Sequence, residues 1–202
     1  EIRKHTDIPM NILIRPRFGD FCYNASEIEI MRQEICMFRE LGANAAVIGV
    51  LNPDGTLNKE AMKILIEAAG PMNITLHRAF DVCKNPFAAM EEAIALGVNT
   101  ILTSGQKNSC IAGKELLKEL VQKADGRIEI LVGAGVDAEA IRVLAPEIHA
   151  ASFHMSGKIT KDSAMEYRKE GVNMGLPSLS EFEIWETSKE KVEEARKVLE
   201  TL

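Results

Sequence analysis

The chain predicts an α/β fold of the TIM type, a (β/α)8 barrel with its first strand and most of its first helix absent. Three observations carry that reading. Strand-length apolar runs alternate with amphipathic helical segments along all 202 residues. The spacing is even and no composition shift marks a second domain, so residues 1–202 are expected to form one incomplete barrel domain. Seven strand candidates are found where a closed barrel needs eight, and the polar stretch Glu1–Thr6 has the look of a helix tail begun upstream. An open doubly wound sheet is the alternative for such alternation. The even spacing without a long reversal favours the barrel.

The elements follow in order from local chemistry. Residues 10–17 form an apolar run ending in Arg15-Pro16-Arg17 and predict a strand. Residues 26–41 are amphipathic at helical spacing and are closed by Gly42. Residues 45–51 predict a buried strand, Asn52-Pro53-Asp54-Gly55 a turn, and Asn58 the cap of a helix to Ala69. A strand over 73–80 precedes Asn85 as cap and Pro86 as first helical residue, with Gly97 as the stop. Strands over 100–104 and 128–132 flank a helix over 112–123, and Asp137 caps a helix to about Leu144. Residues 148–155 predict the sixth strand. A polar loop of about 25 residues separates it from a last strand over 182–186, after which Ser188 caps a charged closing helix.

Composition narrows the function classes. The hydrophobic content of 46% is enough for a sizeable core, and a net charge of −6 without a basic patch argues against nucleic acid. No apolar run is long enough to span a membrane. Cys22, Cys36, Cys83 and Cys110 are spaced as neither a disulfide framework nor a metal clip, which points to the cytoplasm.

In a parallel α/β fold the chemistry gathers at the C-terminal ends of the strands. Arg15 and Arg17 would share one face of an extended strand, where two guanidiniums need an anion between them. Asp20 is one such anion; a substrate phosphate or carboxylate is the other. His77 is a candidate general acid or base oriented by Asp81 or Asp20, or else a core histidine bonded to a neighbouring strand. Arg78, Thr103, Ser104, Gly133, Gly135 and His154 complete the set of substrate-binding candidates. The Gly133-Ala134-Gly135 turn would offer backbone amides to an anion, though tight turning explains it equally well. Cys22, Cys83 and Cys110 all follow strand ends, so sulfur ligands for copper(I) would have to be assembled by the fold.

The motifs Arg15-Pro16-Arg17-x-Gly19-Asp20-Phe21-x-Tyr23, Gly49-x-Leu51-x-x-Asp54-Gly55, Thr75-x-His77-Arg78-Ala79-Phe80-Asp81, Leu102-Thr103-Ser104-Gly105, Gly133-x-Gly135-Val136 and Phe153-His154 together resemble the CutC, or copper homeostasis protein, family over nearly the whole chain. The resemblance implies a TIM-like barrel, a first strand and helix preceding residue 1, and cytoplasmic handling of copper(I). Phe18 and Ala134 stand where family members often have glycine. The motif residues are Arg, His, Asp, Thr, Ser and Gly, which suit an enzyme acting on a small anionic molecule; that is the alternative to copper handling. A homo-oligomeric scaffold without chemistry is the third reading. For copper, the expectation is a weak site, or one completed by Met, His or another subunit.

Overall fold

The computed structural model describes residues 1–169, 171–172 and 180–202. Six parallel strands form one sheet: β1 (Asn11–Leu13), β2 (Ala45–Ile48), β3 (Asn73–Leu76), β4 (Thr100–Thr103), β5 (Glu129–Val132) and β6 (Ser152–Phe153). They lie side by side in strict chain order. A doubly wound sheet would reverse its order at a switch point. No reversal occurs, and the sheet curls as a half-barrel.

Each crossover is a helix with a readable start. Asn24 caps α1 (Ala25–Glu40) by accepting from the Glu27 amide, and the Glu27 carboxylate returns the bond to the Asn24 amide, a reciprocal capping box. Asn58 caps α2 (Lys59–Ala69), Asn85 caps α3 (Pro86–Ala95) with proline in its first turn, and Asp137 caps α5 (Ala138–Ile148). α4 (Lys114–Ala124) starts from Gly113 with no side-chain cap. Ser188 caps α6 (Lys189–Leu199), which packs on α5.

The core lies between sheet and helices. Ile14, Ile48, Leu76, Ile101 and Val132 come from the strand side and meet Met31, Ile35, Met62, Leu65, Met90 and Leu117 from the helices, all nearly inaccessible. Burying such side chains contributes about 1.5–3 kcal/mol each, which fixes the short strands in place.

Five expectations change here. The first strand ends at Leu13 and only the Ile14 amide prolongs its ladder, so Arg15 and Arg17 do not share a strand face. Residues Arg78–Val82 form a 3-10 turn rather than extended strand, which dissolves the alternation expected for His77 and Asp81. The run at 148–155 divides: Ile148 is the buried last residue of α5, and the strand is only Ser152–Phe153. Residues 182–186 do not give a seventh strand of the sheet. They fall on β8 (Glu183–Thr187), which pairs antiparallel with β7 (Lys158–Asp162) in a separate two-stranded sheet. β7 lies in what the sequence showed as a polar loop; its residues are mostly exposed, so no apolar face betrayed it. The expected helix tail is the short 3-10 turn Ile2–Lys4. Among the described residues, no helix is long and apolar enough to cross a membrane.

Candidate functional site

The β1–α1 loop brings Arg15, Phe21 and Tyr23 to the C-terminal edge of the sheet. Arg17 is not available there. Its guanidinium binds the Glu27 carboxylate at 2.5 Å, Asp20 at 2.9 Å and the Cys22 carbonyl at 2.8 Å, and lies over the Tyr23 ring. Hydrogen bonds donated to Glu27 and then to Asp20 raise the Arg17 pKa, and Arg17 holds Asp20 below the usual carboxylate range. The anion expected between the arginines is therefore Asp20 together with Glu27, and Asp20 is the partner of Arg17, not of His77. Glu27 escaped the sequence reading, although Asn24-x-x-Glu27 carries the capping-box signature.

Arg15 is different. It donates to the Gly19 carbonyl at 2.7 Å and lies 4.7 Å from the centre of the Phe21 ring, with no carboxylate partner among the described residues. The other side of this cluster is His77, only 4% exposed, whose ring is 5.0 Å from that of Phe21. The His77 amide continues the sheet by donating to Ile48, and the Ala79 amide donates to Nδ1. The neutral ring therefore carries its proton on Nε2. That nitrogen and the Tyr23 hydroxyl are both buried without a partner among the described residues. Gly49 makes room for the ring: a Cβ there would stand 2.6 Å from His77 Nδ1 and Cε1.

Burial drives the His77 pKa down to about 4, with the Arg15 charge adding to it. Between that value and the ordinary 6.5, the unfolded chain binds more protons than the folded one. Stability is thus complete above pH 6.5 and declines as pH falls toward 4. His77→Asn retains an oxygen for the Ala79 amide and has nothing to titrate. It is expected to flatten this decline by up to about 3 kcal/mol in urea unfolding across the window; a slope equal to wild type would show that His77 does not carry it.

Asp81 is a structural acceptor and does not orient His77. Its carboxylate takes hydrogen bonds from Thr103 Oγ1 at 2.5 Å, the Ser104 amide at 3.0 Å, Ser104 Oγ at 2.9 Å and the Gln106 amide at 3.1 Å. Arg78 Nε completes the set at 2.6 Å, while its Nη2 reaches Ser104 Oγ. Arg78, Thr103 and Ser104, expected to face an anionic ligand, are thus bound to Asp81. Gln106, unsuspected from sequence, locks the neighbouring turn by donating to Phe80 O, Cys83 O and Cys83 Sγ.

In the Gly133–Gly135 turn the Gly133 amide is taken by the Thr103 carbonyl. Ala134 and Gly135 are both left-handed, with φ of +72° and +75°. The Cys110 amide donates to Ala134 O, and the following helix begins on the capping carboxylate of Asp137. His154 is exposed just beyond β6. Arg17 and Thr103, expected to face a shared anion, are instead engaged with Glu27, Asp20 and Asp81.

The sulfur candidates are shielded to different degrees. Cys83 and Cys110 are buried, and burial pushes the Cys83 thiol up to about 11 and raises that of Cys110. Cys22 is half-buried after β1. Among the described residues, no group of three or more His, Cys, Asp or Glu side chains is placed to hold a metal ion.

The comparisons agree with the motif resemblance. The model of the CutC family matches residues 1–159. A CutC family protein of Parabacteroides distasonis is 46% identical over 92% of this chain and 76% of its own length. The human "Copper homeostasis protein cutC homolog" is 37% identical over 95% of this chain and 70% of its own length. The crystal structure of CutC from Streptococcus agalactiae superposes with a TM-score of 0.70 at 34% identity, covering 73% of this chain and 72% of that one. A family model over most of the chain, relatives above a third identical and a solved structure of the same architecture converge: the chain belongs to the CutC family.

Proposed function

We propose that this CutC family member serves copper homeostasis in the cytoplasm, with copper(I) as cargo, and that its sheet is part of one TIM-type barrel domain. The observation that supports the copper reading most directly is the 37% identity to the human copper homeostasis protein homologue over 95% of the chain. The in-order parallel sheet fits a barrel, and four unpaired cysteines fit a reducing compartment.

The donor set does not fit a preformed copper cage within the described residues. Copper(I) prefers thiolate or thioether sulfur. The Cys83 and Cys110 thiols are buried and held protonated, and Cys83 Sγ already accepts from Gln106 at 3.4 Å. Binding there would have to displace a proton and open the Gln106 lock. The reading therefore calls for a weak site, or one completed by Met, His or another subunit.

Two measurements test this. Cells lacking the gene should become more sensitive to graded copper, and the wild-type gene should restore growth; an unchanged copper response ends the copper reading. Titration of the reduced protein with copper(I) against a competing chelator should show weak uptake that survives Cys83→Ser. Tight stoichiometric uptake abolished by that substitution would instead make Cys83 a strong ligand.

A further inference from the structure

We propose that Arg15 and His77, on either side of the Phe21 ring, form with Tyr23 a binding site for a small organic monocarboxylate. Arg15 would take the charge, and the Tyr23 hydroxyl and His77 Nε2–H would donate to the carboxylate or to an oxygen beside it. This goes beyond the copper reading and does not depend on it.

Three observations carry the assignment. The first is the pair of unpartnered groups. Both His77 Nε2 and the Tyr23 hydroxyl are buried without a hydrogen bond among the described residues. Leaving one buried donor unmet costs about 1–3 kcal/mol, so two such groups, both within reach of the Arg15 charge, mark a place where a ligand recovers what folding leaves unsatisfied. The second is their common neighbour. Arg15 lies against Phe21, Phe21 lies against His77, and the Arg15 charge acts on both Tyr23 and His77. Burial raises the Tyr23 pKa, and the approach of the Arg15 guanidinium opposes that rise.

The third is a charge count at the strand ends. Arg17 is balanced by Glu27 and Asp20, and Arg78 by Asp81. Arg15 donates to the Gly19 carbonyl and has no carboxylate partner among the described residues. One uncompensated guanidinium, with neutral donors beside it, suits a single negative charge and the planar two-oxygen fork of a carboxylate. A phosphate dianion would call for a second free cation. The neutral state of His77 agrees with this, since it supplies a donor without adding charge.

Phe21 is the cover. Its half-buried ring separates Arg15 from His77, so a ligand must swing it aside. The loop has the means: Gly19 has φ of +104° and Phe18 at the tip is 87% exposed.

The test is NMR of the 15N-labelled protein titrated with acetate and with benzoate, with inorganic phosphate at matched ionic strength as the comparison. Either carboxylate should shift the His77 Nε2–H resonance saturably, and phosphate should not compete. Arg15→Gln, which still offers a donor to Gly19, should weaken the carboxylate about tenfold or more. Tyr23→Phe removes a hydroxyl that supports nothing in the fold, so it should melt at or above the wild-type temperature and weaken binding several-fold, about what one hydrogen bond supplies. Absence of a saturable shift at His77 with either carboxylate overturns the proposal. Binding unaltered in both variants overturns it too, as it would place the ligand elsewhere. Phosphate binding tighter than carboxylate overturns the ligand class.

Discussion

Asp81→Ala is expected to lower the unfolding free energy by about 4 kcal/mol, the scale for removing one member of a buried polar network. The Asp81 side chain is only 5% exposed, and Thr103 and Ser104 beside it are fully buried. Deleting the carboxylate strands the Thr103 hydroxyl and the Ser104 and Gln106 amides at once. Ser104 Oγ retains the Lys107 carbonyl as an acceptor, at 2.5 Å, and suffers less. Arg78 adds little, because its side chain is 44% exposed and water can replace the lost partner. Asp81→Asn retains the shape and one oxygen, so it should lose about half as much. Urea unfolding of both variants checks the order. A loss below about 1 kcal/mol for Asp81→Ala would mean that water or rotation rescues the stranded donors.

This network also shows how far the sequence could be read. Caps at Asn58, Asn85, Asp137 and Ser188 were legible because an N-cap is a local event of a few residues. Parallel pairing in chain order followed from alternation alone. Side-chain destinations did not. Asp81 ties its own turn to the end of β4, where its partners lie 22 to 25 positions away in sequence. Whether it faced His77 or Thr103 depended on Arg78–Val82 turning as a 3-10 helix, where the alternation of Thr75, His77 and Ala79 suggests continued strand. Arg17 and Arg15 are chemically alike and adjacent in the motif, yet Glu27 captures one and leaves the other. The difference came from a helix start that the sequence reading had placed at Ser26, two residues past the Asn24 cap.

Gly113 is where a local rule and the packed structure give opposite signs. It occupies the N-cap of α4 and offers no side-chain bond. By helix chemistry alone, Gly113→Ser should be neutral or stabilising by a few tenths of a kcal/mol. Its backbone, with φ of −94°, would accept any residue. Contact forbids it. A Cβ at Gly113 would stand 1.9 Å from the Ser104 carbonyl oxygen and 2.9 Å from Gly105 Cα. The reverse holds as well, since a Cβ on Gly105 would stand 2.3 Å from the Gly113 carbonyl oxygen. The two glycines close the loop between β4 and α4 by backbone-to-backbone contact, and no flexible side chain is there to yield. Ser104 cannot retreat, because Asp81 holds its amide and hydroxyl. Gly113→Ser and Gly113→Ala are therefore expected to destabilise by more than about 4 kcal/mol, in the range reserved for disrupted cores and networks. Gly97→Ala serves as a control: it carries a left-handed φ of +80°, a burden Gly113 lacks, but meets nothing within 4 Å, so it should cost only about 1–2 kcal/mol. Thermal and urea unfolding of these variants decide between capping and contact, and a Gly113→Ser protein as stable as wild type would show that the loop opens without cost.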